Sequence, residues 1–348
     1  MQKTKEFFRE NCPLHETRRI SQVVIKACSN VQELVFTPEY IDHERHERDP
    51  QVYRFSSGWG PTTVLPDATE PDAILYVYQD SSMEELEFFW DGNEYFLAGP
   101  VIEREKAAPD KRYTVYSTGG LLTRIMPGVL ESKGFSCLHA TSVYNPDTNH
   151  MMVFVGGPGA GKTILMLEAC LRQGYKLMTT EYTHFRTENG EVRFYLGSVL
   201  DNVRVGNLIY NYTEYERIWG KKILDRLPAG YNPWSSKVAL DMTPLLPDRE
   251  VIVNPRVSLV FVKIEGYREA PVVEQLKPAS TRFQLYLNAA ELISRPRFFF
   301  GCLPVPSLDT TKRAKNRLKI VDDMLATADL VECTSLFAGV NNAWIWKK

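Results

Sequence analysis

The sequence has no marked excess of either charge, and this limits the partners that we expect. Among 348 residues, 41 are basic and 43 are acidic, and the formal net charge is −2. A chain so near neutrality creates no broad electrostatic field that would attract nucleic acid or an anionic membrane surface. We therefore expect neither nucleic acid nor a membrane among its partners. Homo-oligomer formation is left open.

Long apolar runs are also missing. No uninterrupted apolar stretch approaches the length that spans a bilayer. Residues 1–6 (MQKTKE) contain no apolar region of the kind found in secretory signals. Hydrophobic residues nevertheless make up 44% of the chain, which is enough for a substantial core. These features predict a globular cytoplasmic protein.

Cysteine is scarce, and its spacing suggests neither a disulfide framework nor a zinc site. The six cysteines are scattered at Cys12, Cys28, Cys137, Cys170, Cys302 and Cys333. Such thiols are typical of a reducing compartment. A dinucleotide G-x-G-x-x-G motif and a Ser–His–Asp arrangement are likewise not found. His43 and His46 have metal-like spacing, but without further ligands nearby a solvated charged turn is the better interpretation.

One stretch carries a strong chemical signal. An apolar strand at 151–155 leads into a glycine-rich segment, and a helical apolar pattern follows. This is the G-x-x-x-x-G-K-[ST] phosphate loop with the strand before it and the helix after it that the motif requires. The predicted nucleotide-binding residues are Gly156, Gly157, Pro158, Gly159, Ala160, Gly161, Lys162, Thr163 and Ile164.

The loop sequence predicts how a nucleotide is held. Glycines let the backbone approach phosphate oxygens, and the amide groups and helix N-terminus favour the anion. Lys162 is expected to reach the β- and γ-phosphates, and the Thr163 hydroxyl is expected to bind Mg²⁺. Gly174 is a plausible residue to end the helix.

The chain from Leu138 to Leu196 resembles the HPr kinase-like branch of phosphate-loop kinases, which are related in fold to phosphoenolpyruvate carboxykinase. The resemblance rests on Leu138-His139-Ala140 before the loop strand, on the loop itself, on Gly174, and on a strand at 175–181 that ends in a carboxylate. A looser similarity extends over 197–204 and 237–241. The resemblance implies an α/β fold and an ATP- and Mg²⁺-dependent kinase.

The main departure from this family concerns its paired aspartates, which bind magnesium and accept the proton of the attacking hydroxyl. Here Thr180 and Glu181 stand in their place. Glu181 is predicted to hold Mg²⁺ together with Thr163, and Asp201 or Asp241 could supply the second carboxylate. Alternatively, the chain binds nucleotide and transfers slowly or not at all, or Glu181 is an ordinary solvated residue.

Three further residues are candidates for catalysis by this resemblance. His139 would hydrogen-bond a phosphate or orient Glu181, unless it is a core histidine bonded to a backbone carbonyl. Arg204 would bind the substrate or the transferring phosphate through two hydrogen bonds from its guanidinium group, unless it is a surface arginine. Lys237 is a similar case, because the family has a lysine at the start of the corresponding strand.

The sequence predicts two domains. Residues 1–117 form a mixed, β-rich accessory domain, and residues 118–348 form a phosphate-loop kinase domain. The expected reaction moves the γ-phosphoryl of ATP to a hydroxyl of a small molecule or of a seryl peptide or protein. A nucleotide-binding regulatory protein with little or no activity is the alternative. An NTP hydrolase is a weaker one, because no sensor or arginine-finger motif is found.

The remaining patterns predict individual elements. Strands are expected at 73–78, 112–116, 135–143, 175–181, 237–242, 257–262 and 341–346, and hairpins around 91–93 and around Asn189-Gly190. Residues 135–143 are expected to pair antiparallel with the loop strand. Helices are expected at 282–293 and 312–328, and a helix over 121–130 is expected to kink or break at Pro127-Gly128.

Overall fold

The computed structural model describes residues 3–36, 59, 62–108, 114–117, 119–227, 229–265 and 269–339. The predicted strand at 341–346 and the pair His43 and His46 lie outside this part of the chain. The first half of the described chain contains α1 (Lys5–Asn11), β1 (Leu14–Ile20), β2 (Val23–Ser29), β3 (Thr62–Leu65), β4 (Ala73–Gln79), β5 (Glu87–Asp91), β6 (Glu94–Gly99), α2 (Val101–Ala107), α3 (Leu121–Ser132), β7 (Ser136–Asn145), β8 (His150–Val155) and α4 (Lys162–Arg172).

The second half contains β9 (Lys176–Thr179), β10 (Tyr182–Glu188), β11 (Glu191–Tyr195), β12 (Leu200–Arg204), α5 (Tyr215–Trp219), β13 (Lys237–Asp241), β14 (Val251–Val253), β15 (Arg256–Ile264), β16 (Val272–Gln275), α6 (Pro278–Ser294), β17 (Arg297–Phe299), β18 (Leu303–Val305), α7 (Thr311–Thr327) and β19 (Asp329–Ala338). The protein is thus of the mixed α/β class, and its sheets combine parallel and antiparallel strands.

The chain divides into two compact units at positions that the sequence did not indicate. The first unit comprises Met1–Lys133 and Glu291–Asn316, and the second comprises Gly134–Ala290 and Arg317–Lys348. The division therefore differs from the predicted boundary after residue 117. Long-range contacts explain part of this difference, since Arg313 donates a hydrogen bond to the Tyr95 hydroxyl (3.1 Å) within the first unit.

The first unit is built on a six-stranded sheet with the order β3-β1-β2-β4-β6-β5. Strands β2, β4 and β6 run parallel to one another, and the other pairs are antiparallel. The predicted strand at 73–78 and the hairpin around Asp91-Gly92-Asn93 are confirmed. Aromatic side chains fill one face, where Phe8 of α1 packs on Phe96.

One prediction for this unit was wrong, and one was confirmed in part. The described part of the predicted strand at 112–116, residues 114–116, is not a strand, because this segment folds back on itself and the Thr114 N–H bonds to the Ser117 hydroxyl. The helix expected over 121–130 is present as α3, and it continues through Pro127 without a break. Its residues from Leu121 to Glu131 are all buried, so tertiary packing outweighs the lost backbone hydrogen bond.

The second unit has three layers. Its nine-stranded sheet has the order β14-β11-β10-β7-β8-β15-β19-β16, and β9 also pairs with β7. Alternate residues of β8 point to opposite faces: Phe154 joins a core cluster with α4, and Val153 joins one with α6 and α7. The apolar β15 lies between β8 and β19 and is parallel to both, which confirms the predicted central strand.

The predicted hairpins and helices of this unit are present. Strands β7 and β8 pair antiparallel, as do β10 and β11, where Asn189 and Gly190 both have positive φ angles (53° and 76°). Two consecutive left-handed residues are what a type I′ turn requires. The helices expected at 282–293 and 312–328 are α6 and α7. Among the described residues no helix is long and apolar enough to cross a membrane.

Candidate functional site

The glycine-rich loop joins β8 to α4, as predicted. Gly159 and Gly161 have φ angles of +78° and +98°, a conformation that side chains other than glycine rarely adopt. The Ala160 carbonyl accepts a hydrogen bond from the Ile264 N–H (2.8 Å), which ties the loop to the end of β15. The predicted end of the helix is also present, because Gly174 follows α4 with a φ angle of +74°.

The glycines differ in the space around them. A Cβ atom at Gly161 would lie 2.1 Å from Ile264 Cγ1, so only glycine fits there. At Gly157 or Gly159 a Cβ atom would meet no atom within 4 Å. The loop is therefore unobstructed at Gly157 and Gly159, and Gly159 lines a cleft.

Lys162 is nearly enclosed by the loop that precedes it. Its Nζ donates to the carbonyl oxygens of Gly156 (2.6 Å) and Gly157 (3.2 Å). The side chain lies back over the loop, and only 9% of the residue is exposed. This arrangement places a positive charge at the loop, where phosphate oxygens would be neutralised.

A carboxylate from a distant part of the sequence lies against the loop. The Thr163 hydroxyl donates to Asp201 Oδ2 at 2.9 Å. Burial raises the pKa of Asp201 to about 6, and the negative charge of Glu181 adds to this rise. The hydrogen bond from Thr163 and the positive charge of Lys162 both lower the pKa and so oppose the rise. Asp201, which the sequence offered as a possible second carboxylate, is thus bonded directly to Thr163.

Glu181 lies in a break between two strands. The predicted strand at 175–181 ends at Thr179, and Tyr182 begins β10. Both β9 and β10 pair with β7, so β7 and not the loop strand is the neighbour of β9. The Glu181 carbonyl accepts from the Ala140 N–H (2.9 Å), which holds the backbone while the side chain remains partly exposed.

Thr180, the other departure from the paired aspartates, is buried. Its hydroxyl lies 2.8 Å from the Ser198 hydroxyl and donates to the Leu200 carbonyl (2.8 Å). The side chain is therefore occupied in joining this break to the segment before β12. Thr180 therefore contributes hydrogen bonds that hold this part of the fold together.

His139 lies next to Glu181 on the neighbouring strand. It is buried on β7 and pairs with Tyr182, whose ring centroid is 5.8 Å from its own. Its carbonyl accepts from Asn288 Nδ2 (3.3 Å). The ring thus has a tightly packed aromatic neighbour one residue from Glu181.

Two basic residues lie on the paired strands β12 and β13 near the loop. Arg204 ends β12 and is paired with Lys237, the first residue of β13. Both line a cleft of about 460 Å³ that begins at the loop. Asp241, the other acid considered from the sequence, lies at the far end of β13 and accepts from the Thr243 N–H (2.9 Å). Of the two aspartates, Asp201 is the one beside Thr163.

The cleft also contains residues that the sequence did not single out. Its lining comprises Gly159, Ala160, Gly161, Lys162, Thr163, Ile164, Asn202, Arg204, Asn207, Trp234, Lys237 and Ile264. Asn202 could have been suspected because it adjoins Asp201 on β12. Nothing in the local sequence signals Trp234 or Ile264, which reach the loop only through the tertiary fold.

The donor set near the loop suits Mg²⁺ better than a metal held by the protein alone. The described residues contain no group of three or more His, Cys, Asp or Glu side chains that could hold a metal ion. Mg²⁺ keeps several waters and is usually bound by one or two carboxylates and by substrate phosphates. Asp201 and the Thr163 hydroxyl, adjacent to the loop, fit this coordination.

The chain matches no protein-family model, and no curated protein matches it.

Proposed function

We propose that this protein is an ATP- and Mg²⁺-dependent phosphotransferase whose second unit has an HPr kinase-like fold. The observation that carries the proposal is the bond between the Thr163 hydroxyl and Asp201, beside Lys162. A metal-binding hydroxyl, a carboxylate and a lysine at one glycine-rich loop are the groups that phosphoryl transfer uses. The antiparallel neighbour of the loop strand, β7, carries Leu138, His139 and Ala140, in keeping with the resemblance.

Each of these residues would have a separate role in phosphoryl transfer. Thr163 and Asp201 would hold Mg²⁺, and Lys162 would neutralise the transferring phosphoryl group. Mg²⁺ held by Thr163 and Asp201 would supply positive charge against the phosphate oxygens. The Thr180 hydroxyl is bonded within the fold, and threonine carries no carboxylate. Asp201 would therefore supply the carboxylate that one of the family's paired aspartates supplies.

Glu181 is the residue that we assign to the acceptor. Its side chain makes no hydrogen bond to other described residues, and its negative charge contributes to the raised pKa of Asp201. Glu181 would take the proton of the attacking hydroxyl as that oxygen bonds to the γ-phosphorus and the bond to ADP breaks. His139, packed beside this position, would orient Glu181. The acceptor is a hydroxyl of a small molecule or of a seryl peptide or protein.

The proposal is tested by following the γ-phosphate of labelled ATP. Wild type, Lys162→Ala, Glu181→Gln and Asp201→Asn are incubated with labelled ATP, Mg²⁺ and fractionated metabolites or proteins from a lysate. We expect label in one discrete species, dependent on Lys162. Glu181→Gln should keep ATP affinity and lose transfer, whereas Asp201→Asn should lose the response to Mg²⁺.

Other outcomes would replace the proposal by one of its alternatives. Lys162-dependent release of free phosphate in every fraction would indicate an NTP hydrolase. Binding of MgATP without turnover would indicate a nucleotide-binding regulatory protein. Transfer that persists in Lys162→Ala would exclude the loop as the site of the reaction.

A further inference from the structure

The cleft that begins at the loop ends at an exposed aromatic surface. Trp234 lines the cleft and stacks with Tyr210, with ring centroids 5.7 Å apart and planes 23° apart. These residues are 49% and 63% exposed. Large aromatic side chains left open beside a polar cleft are available to a ligand with a flat face.

The fold holds the Trp234 ring in a fixed place. A Cβ atom at Gly206 would lie 2.5 Å from the indole, so the ring rests on a backbone that only glycine leaves free. The turn before it is fastened by the Gly206 N–H, which donates to the Pro233 carbonyl (2.7 Å). The Asn232 side chain accepts from the Trp234 N–H (2.9 Å). The aromatic surface is therefore preorganised for a ligand.

The charges beside Trp234 match a phosphorylated ligand. Arg204 and Lys237 are directly paired on β12 and β13, so their side chains lie on the same face of this two-stranded sheet, and both line the cleft with the indole. Within the described chain neither side chain forms an ion pair with a carboxylate. At about 3.3 Å per residue, Arg204 is roughly 10 Å along β12 from Asp201.

The direction of the cleft distinguishes the nucleotide from the acceptor. The cleft contains Thr163 and Ile164 at the start of α4, whereas neither Glu181 nor His139 is among its described lining residues. The acceptor must reach Glu181, which takes its proton in the proposed reaction. The surface at Trp234 is therefore on the side of the nucleotide that does not react, where the base lies.

We infer that the Trp234 indole, supported by Tyr210 and Gly206, stacks against the base of the bound nucleotide, while Arg204 and Lys237 face its phosphates. This inference rests on the proposed function and adds a base subsite to it. Stacking is tolerant of the base, because every nucleobase presents a π-face. The subsite therefore takes nucleoside triphosphates as a class, in preference to inorganic polyphosphate.

The test compares MgATP with magnesium tripolyphosphate, which has the phosphates and lacks the base. Binding of both is measured by calorimetry for wild type, Trp234→Ala, Trp234→Phe and Gly206→Ala. Trp234→Ala should raise the Kd of MgATP about tenfold or more and leave that of tripolyphosphate unchanged. Trp234→Phe should retain most of the affinity, and Gly206→Ala should mimic Trp234→Ala by displacing the ring.

Controls separate this inference from the proposed nucleotide site. Phe283→Ala removes an aromatic ring of similar exposure (61%) from α6 and should change neither Kd. Lys162→Ala should weaken both ligands. Equal effects of Trp234→Ala on both ligands, or no effect on either, would overturn the base subsite while the loop remains a phosphate site. If wild type binds neither ligand in a Lys162-dependent way, the nucleotide site itself is wrong.

Discussion

Replacing Asp201 by asparagine is expected to stabilise the fold while it removes activity. Burial raises the pKa of this carboxyl from its ordinary value of 3.8 to about 6. An acid whose pKa is higher in the folded state destabilises that state once it ionises. The asparagine side chain would carry no charge, and its amide oxygen could still accept the bond from Thr163.

The size of the effect follows from the shift. A difference of about 2 pKa units corresponds to about 3 kcal/mol at 1.36 kcal/mol per unit, which is an upper limit. This loss of folding free energy is absent below the pKa of Asp201 in the unfolded chain. It grows as the pH rises from 3.8 to 6 and is complete above pH 7. For a unit of this size it corresponds to at most about 6–12 °C in melting temperature.

Thermal unfolding of wild type and Asp201→Asn between pH 5 and pH 8 measures this effect without nucleotide. We expect the variant to melt higher at pH 7 and the difference to fall to about half at pH 5. Asp241→Asn is the matched control and should give no such gain, since Asp241 caps a turn at Thr243. An Asp201→Asn variant that melts below wild type at pH 7, or a difference independent of pH, would refute the reasoning.

Three further predictions concern the loop and its surroundings. Gly161→Ala should abolish tripolyphosphate binding in calorimetry and lower the melting temperature, because its Cβ would lie 2.1 Å from Ile264; Gly157→Ala, with no atom within 4 Å, should melt like wild type. Burial lowers the pKa of His150, so stability should fall as the pH drops below the unfolded value of about 6.5, and His150→Gln should melt with a weaker pH dependence. Thr180→Asp restores the paired acids but places a charge at a buried position facing a carbonyl. It should therefore lower the melting temperature and give no gain in phosphoryl transfer, and faster transfer would contradict this.

The sequence by itself determined the elements whose causes are local. The loop at 156–163 lies between β8 and α4 because glycines with positive φ angles must interrupt the apolar pattern there. The hairpin at Asn189-Gly190 follows equally from two residues that tolerate the left-handed conformation. Such features depend on neighbours a few positions away, so they can be predicted before the fold is known.

Only the tertiary structure decided which side chains meet at the loop. Asp201 reaches Thr163 across 38 positions, and Trp234, from a turn before β13, lines the cleft that also contains Thr163. The sequence offered Asp201 or Asp241 as a second acid, and only the fold shows that Asp201 is the one bonded to Thr163, whereas Asp241 caps a turn at Thr243. The same holds for Pro127, where local rules predict a kink or a break and where the burial of Leu121–Glu131 lets the helix continue without a break. In each case the deciding contact joins segments far apart in the chain, and no local pattern records which pairing has the lowest free energy.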